Sequence, residues 1–181
     1  LATERGDDPY NHSYLNWANE VYKPTYITQH TLNLTGGSEV GRYLVSFDYL
    51  DQPGLVKNTE YQRYSYRVNT DLNIGKMLKV SSDVTYRHVD RLWPESLGSV
   101  QYDVWSMQPT SPVRYENGDY RLDKQNRNAI SLMDLDVVGE DRYNMDVVYG
   151  QVKADFEPIK DLVFTGMASL NGSWDRRKIH Y

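Results

Sequence analysis

Cysteine is absent from the 181 residues, which excludes a disulfide framework, thiol chemistry and any zinc site built on cysteine. No stretch approaches the roughly 18 consecutive apolar residues that a membrane-spanning helix needs. Neither sign of charge dominates: 20 Lys and Arg stand against 25 Asp and Glu, for a net charge of −5. That balance offers no electrostatic case for nucleic acid. Phenylalanine is scarce, three residues against sixteen tyrosines, and the mean hydropathy is −0.71. There is no nucleophile elbow, P-loop or dinucleotide fingerprint. Gly36-Gly37 lies between two strand patterns with no helix after it, so it reads as a turn and not as a phosphate cradle. His12, His30, His88 and His180 are scattered without metal-ligand spacing and read as isolated and exposed. Nothing here supports an enzyme, a metal site or a cofactor.

What the chain has is alternation. From Arg42 to Leu50 one face carries Tyr43, Val45, Phe47 and Tyr49. From Arg63 to Leu72 it carries Tyr64, Tyr66, Val68, Thr70 and Leu72, against Arg63, Ser65, Arg67, Asn69 and Asp71 on the other. From Leu78 to His88 the pattern repeats with Leu78, Val80, Ser82, Val84 and Tyr86. A period of two over such lengths specifies strands with one dry and one wet face. Six such stretches predict an antiparallel up-and-down all-β fold. A low mean hydropathy is compatible with a membrane barrel, which needs apolar residues only at every second position. In the last strand Phe164 and Trp174 bracket Gly166, Ala168, Leu170 and Gly172, which places Ala168 and Leu170 toward lipid and Ser169 and Asn171 toward the lumen. Ten residues at about 3.3 Å, tilted by about 40°, rise roughly 25 Å, the height of a lipid-facing band. Tyr49, Tyr64, Tyr66, Tyr86 and Trp174 would form one aromatic girdle, and Tyr43, Phe156 and Phe164 the other.

The connections are predicted to sort by length. Links near 36–41, 73–77 and 157–161 are tight, whereas 51–62 and 89–143 are long. An outer-membrane barrel has periplasmic turns and extracellular loops of this kind. Within 89–143, a short helix is predicted over 95–107, after Pro94 and before Pro109. Asn117-Gly118 predicts a type I′ hairpin. Tyr102, Trp105 and Met107 are expected to pack the loop itself. Tyr102, Trp105, Tyr115 and Tyr120 are the candidate contacts to substrate or partner. Asp134, Asp136, Glu140 and Asp141 crowd the same loop but lack the spacing of a calcium loop. On the wet faces, Arg63, Arg67, Asp71, Lys79, Asp83, Arg87, Lys153 and Asp155 are expected to pair across strands or with a plug inside the barrel.

Tyr14-Leu15-Asn16-Trp17-Ala18-Asn19-Glu20-Val21-Tyr22 is followed by Gln29-His30-Thr31-Leu32-Asn33-Leu34-Thr35-Gly36-Gly37-Ser38-Glu39 and then by Arg42-Tyr43-Leu44-Val45-Ser46-Phe47-Asp48-Tyr49-Leu50-Asp51-Gln52-Pro53-Gly54. In this order and spacing they resemble the tryptophan segment, the HNLSVSGGSE stretch and the YLVSLGYLDQ stretch of SusC/RagA-type TonB-linked outer-membrane transporters of Bacteroidetes. Arg63-Tyr64-Ser65-Tyr66-Arg67-Val68-Asn69 is similar to a further strand of that family, and Leu78-Lys79-Val80 to the start of the next. Met107 to Val113 and Asn117 to Tyr120 resemble its proline-rich loop and DGNY turn. The resemblance implies part of a transmembrane barrel, six strands of about 22 in a plugged barrel of this class.

It further implies an importer of oligosaccharides or peptides in the outer membrane of a Gram-negative bacterium. The implied partners are a SusD-like surface lipoprotein, TonB acting through the plug, the outer-membrane lipid, and a glycan or peptide substrate. The chain opens without an initiator Met or apolar leader and includes no plug or TonB box, so an internal stretch of the barrel is expected. Its expected organisation is an extracellular loop tail over 1–28, a partial barrel over 29–175 with a long extracellular loop over 89–143, and the start of a next loop over 176–181. A soluble, aromatic-rich β-sandwich acting as a carbohydrate-binding module is the alternative that composition leaves open.

Overall fold

The computed structural model describes Tyr10 and residues 13–180. Six strands dominate it: β1 Thr28–Gly37, β2 Gly41–Pro53, β3 Glu60–Ile74, β4 Leu78–Pro94, β5 Glu140–Ile159 and β6 Leu162–His180. They form one antiparallel sheet in the order β1-β2-β3-β4-β5-β6, each strand paired with its neighbour in sequence. This is the up-and-down arrangement that the alternation predicts. No second sheet packs on it among the described residues, so the two-sheet sandwich is not formed.

Register turns the single-strand patterns into continuous rows. Leu34 lies opposite Val45, Val45 opposite Val68, Val68 opposite Val84, Val84 opposite Gly150 and Gly150 opposite Leu170. The next row runs Leu32, Phe47, Tyr66, Tyr86, Val148, Gly172. A one-residue slip at any pairing would put arginine and aspartate onto this face, so the pattern fixes the register. Between the Phe156–Phe164 pair and the row ending at Trp174, no outward position on any strand is charged. The rings cluster at the upper margin of that band: Tyr49 and Tyr64 centroids are 5.0 Å apart, Phe47 and Tyr66 5.0 Å, Tyr66 and Tyr86 6.1 Å. His30 and His88 belong to this belt and are not isolated. His30 stacks on Tyr49 at 6.4 Å, and His88 Nδ1 lies 2.8 Å from Asp146 Oδ1. His12 lies outside the described residues.

Charges collect on the opposite face; Arg63, Arg67 and Lys79 pair across strands as expected, whereas Lys153 pairs with Asp155 along β5 itself. Arg63 reaches Asp48 at 2.9 Å, Lys153 reaches Asp155 at 2.8 Å, Lys79 lies 3.9 Å from Asp71, and Arg67 bonds Asp83. Asp48 also accepts hydrogen bonds from Gln29 and Thr31 at 2.7 and 2.8 Å. Half-exposed pairs of this kind contribute little stability each, about 0–1 kcal/mol. Their effect is to satisfy charge along a wet wall.

Three tight turns close one end, over residues 38–40, 75–77 and 160–161. Gly75 and Asp161 supply the left-handed backbone there, with φ of 66° and 69°. At the β1–β2 turn the Tyr43 ring lies across Gly36 so closely that a Cβ would sit 2.5 Å from its hydroxyl. Pro158 falls at the irregular pairing between Phe156 and Ile159, where a missing N–H is tolerated.

The strand ends depart from expectation. β4 runs on to Pro94, β5 starts at Glu140, and β2 and β3 reach Pro53 and Glu60. The long connection is therefore 95–139 and not 89–143, and the other is 54–59, an ordinary loop. Residues 176–180, expected to open a loop, continue β6, with Arg176, Arg177 and Lys178 opposite Asn144, Tyr143 and Arg142. A strand that rises above the membrane is wet on both faces, so charge there does not mark its end. Of the expected loop tail, only Tyr10 and residues from 13 onward are described. It contains a helix, α1 Trp17–Val21, capped by the Asn16 side chain, which accepts from Asn19 N.

The faces make a direct test in an assembled barrel. Val84→Arg, mid-band and outward, should cost about 2–4 kcal/mol of stability in a bilayer, and Thr85→Arg, inward, far less. Urea unfolding from lipid vesicles measures both, and equal losses would refute the assignment.

Candidate functional site

The sheet has almost no hydrophobic core of its own; the core lies in its loops. Trp17, Val21, Val56, Val100, Val104, Met107, Ala129 and Met133 are buried together. They come from residues near α1, from 54–59 and from 95–139, joined into a cap at the long-loop end. Each buried apolar side chain of this size contributes about 1.5–3 kcal/mol.

Within the cap, α2 Leu97–Ser106 realises the helix predicted over 95–107 and ends as Met107 N donates to Asp103 O at 2.9 Å. Val100 and Val104, one turn apart, face the core. The Trp17 indole donates to Gln108 O at 3.0 Å and Leu15 N to Pro109 O at 2.8 Å, which ties the tryptophan segment to the proline-rich stretch. Asn128, 1% exposed, organises the rest. Its amide donates to Val113 O at 2.8 Å and Arg121 O at 2.9 Å, and its Oδ1 accepts from Ile130 N and Ser131 N. Asn58 reaches across to Met133 O at 2.8 Å. Asp103 is also buried, and burial raises its carboxyl above the ordinary range despite Arg127 nearby.

The four candidate contact residues divide. Met107 packs the loop as expected, but Tyr102 and Trp105 do not: they lie on the far face of α2, 69% and 78% exposed. Tyr115 is partly exposed beside the Arg121 guanidinium. Tyr120 is held inside the loop, its hydroxyl donating to Asp134 Oδ2 at 2.6 Å with the Arg114 guanidinium 3.7 Å above its ring. Burial first, and Asp134 second, push its hydroxyl up to about 12. The same hydrogen bond holds the Asp134 carboxyl below its usual range.

The expected hairpin exists in another form. Gly118 N donates to Tyr115 O and Tyr115 N to Asp119 O, with Gly118 left-handed at φ 91° but Asn117 not. A type I′ turn needs both, so this is a bulged hairpin. Three of the four acidic residues are drawn to separate partners, Asp134 to Tyr120, Asp141 to Arg177 and Glu140 toward Arg142, while Asp136 donates its backbone N–H to Asp134 Oδ1. Among the described residues no three metal-ligating groups converge.

Below α2 the inward face ends in a cluster that the loop reading concealed. The Arg91 guanidinium lies 3.9 Å from the Trp93 ring and 5.0 Å from the Tyr143 ring. Asp141 accepts from Arg177 Nε and Nη2 at 2.8 and 2.9 Å, with Arg91 at 3.4 Å. These residues share an open cleft with Leu97, Gly98 and Gln101 of α2. The helix therefore overhangs the charged, inward side of the sheet. Alternation continued past residues 89 and 143 would have found them.

No protein-family profile matches the chain. It is 30% identical over 115 residues to TonB-dependent receptor P26 of Formosa agariphila and 33% identical over 69 residues to TonB-dependent receptor P3 of the same organism. These matches take in 63% and 38% of the chain but only 11% and 7% of those receptors. Among solved structures, the RagAB peptide importer in its closed-closed state aligns with 94% of the chain and 20% of its own, at TM-score 0.75 and 22% identity. The open-open state aligns with 90% at TM-score 0.72.

Asn128→Ala should cost the cap about 2–3 kcal/mol, because it strands buried carbonyls and amides. Limited proteolysis of the assembled protein should then cut within 107–127 while the strands stay protected. An unchanged pattern would show that the cap does not depend on this residue. By sequence and fold together, the chain is similar to a stretch of the barrel of SusC/RagA-like TonB-dependent receptors.

Proposed function

We propose that this sheet forms part of the wall and mouth of an energised importer, through which oligosaccharides or peptides cross the outer membrane. The observation that carries the reading is the ordered cap overhanging the inward cluster of Arg91, Trp93, Asp141, Tyr143 and Arg177. Loops this long are functional or disordered far more often than idle, and this one has its own core. The exposed pair Tyr102 and Trp105 is a docking face for a SusD-like surface lipoprotein; ring-bearing side chains of this kind anchor protein interfaces. Tyr115, exposed beside Arg121, is a further candidate contact, whereas Tyr120 serves the loop's own order. Arginine and aromatic groups at the mouth suit the carboxylates and rings of a peptide as well as the faces of a sugar. TonB acts through the plug side of such a barrel, and the relatives are receptors and importers by name, not enzymes.

Two variants test this in the assembled transporter. Replacing Ser96–Asp119 with a Gly-Ser link should abolish most uptake at normal surface expression. The Tyr102→Ala, Trp105→Ala double variant should weaken lipoprotein co-purification by tenfold or more, as loss of a hot-spot pair does. Normal uptake in the first or normal co-purification in the second, at matched expression, would remove the corresponding role.

A further inference from the structure

Behind the mouth cluster, the cap and the sheet enclose a second cavity, of about 410 Å³. Tyr22 comes from the end of α1, Leu55 and Val56 from the 54–59 loop, Tyr61 and Trp93 from the inward tops of β3 and β4, and Leu97 from α2. Val56 is buried, and Tyr22, Tyr61 and Leu97 are half-buried. Leu55 and Trp93 remain 58% and 37% exposed, so the cavity is open. Small ligands bind in pockets of this size, walled by apolar and aromatic side chains with a few polar groups. Here the Gln52 and Gln101 side chains supply the polar groups. Glu60 is the one charged residue among the described residues that line it, and by register it belongs to the outward face.

The cavity is continuous with the charged cleft, because Trp93, Leu97 and Gln101 line both. On one side of Trp93 the walls are apolar. On the other stand Arg91 and Arg177 with Asp141 and Glu95, two charges of each sign. A ligand lying under α2 therefore meets apolar surface and then paired charge. An oligosaccharide carries hydroxyls along its whole length, and each one left unpaired against Leu55, Val56 or Leu97 would cost binding. Sugar rings also stack on bare aromatic faces, and in the cleft the Arg91 guanidinium already lies 3.9 Å from the Trp93 ring and 5.0 Å from the Tyr143 ring. A peptide changes character from residue to residue. Its backbone groups also match the Gln101 amide, which both donates and accepts.

We propose that this cavity is a peptide subsite: it takes one bulky apolar side chain, while charged neighbours or termini of the same peptide lie in the cleft beyond Trp93. The continuity of the two clefts, apolar on one side and charged with both signs on the other, selects this occupant. The inference rests on the importer reading and deepens it, choosing the peptide over the glycan.

The probes are the tripeptides Ala-Leu-Ala and Ala-Asn-Ala with free termini, titrated calorimetrically into the detergent-purified, assembled transporter, with maltotriose as the neutral glycan. An apolar pocket discriminates even one methylene by about tenfold or more, so Ala-Leu-Ala should bind at least about tenfold tighter than Ala-Asn-Ala. Leu55→Asn should bring that ratio toward one by making a wall polar, and Leu55→Trp should do so by filling the cavity. Leu55→Met should keep the ratio, as should Lys160→Gln at the opposite rim. Equal affinity of the wild type for the two peptides would overturn the proposal, as would an unchanged ratio in both Leu55→Asn and Leu55→Trp. Displacement of Ala-Leu-Ala by equimolar maltotriose would also overturn it, by making the cavity a glycan site. If the Leu55 variants fail to assemble, the two-peptide ratio of the wild type decides. Loss of all uptake with the ratio intact would count against the importer reading, whereas intact uptake with a ratio of one would count against the subsite alone.

Discussion

Every other feature of the structure depends on one constraint: in a bilayer core, each backbone N–H and C=O must find a partner inside the protein. A sheet meets that demand only if its strands stay paired over the full depth of the membrane, and the pairings here run through all five interfaces, with one irregularity between Phe156 and Ile159 at the tight-turn end. Pairing alone leaves the faces undefined. The uncharged outward band and the charged inward wall define them, and together they hold the register, because a one-residue slip would carry Arg67 or Asp83 into lipid. Side-chain energies within the sheet are individually small; the cost of the alternatives is large.

The division of labour between sheet and loops follows. A wall with lipid on one side and a wet interior on the other has little to bury, and Val89 and Pro94 are its two buried apolar residues among those described. Apolar packing moves to the cap, where Trp17, Val100, Val104, Met107 and Met133 close on one another and Asn128 satisfies the backbone around them. The tryptophan segment and the proline-rich stretch lie far apart in sequence yet meet at the Trp17–Gln108 hydrogen bond. Both serve the cap, which leaves the outer face of α2 free for Tyr102 and Trp105.

Sequence alone carried much of this. Alternation from Arg42 to His88 specified strands, faces and neighbours, since a period of two is a local property written into single stretches. Strand ends were less legible. Arg176, Lys178, Arg91 and Asp141 looked like loop residues, because the rule that makes charge costly applies only inside the membrane and these strands rise beyond it. The same error hid the mouth cluster. Helix α2 was legible from its flanking prolines, but the direction of its rings was not. Whether Trp105 packs inward depends on where Trp17 and Met133 arrive, and that is fixed by contacts remote in sequence. The hairpin at Asn117-Gly118 was right in place and wrong in type, since Asn permits a left-handed conformation without requiring it.

The alternation on β6 is the central claim, and the absence of cysteine makes it directly measurable. Single cysteines from Thr165 to Trp174, introduced into an assembled, cysteine-free barrel and spin-labelled in membranes, report exposure to oxygen in lipid or to a nickel complex in water. Gly166, Ala168, Leu170 and Gly172 should favour oxygen, and Thr165, Met167, Ser169 and Asn171 nickel, with a strict period of two. Uniform accessibility along the strand, or the opposite phase, would contradict the account.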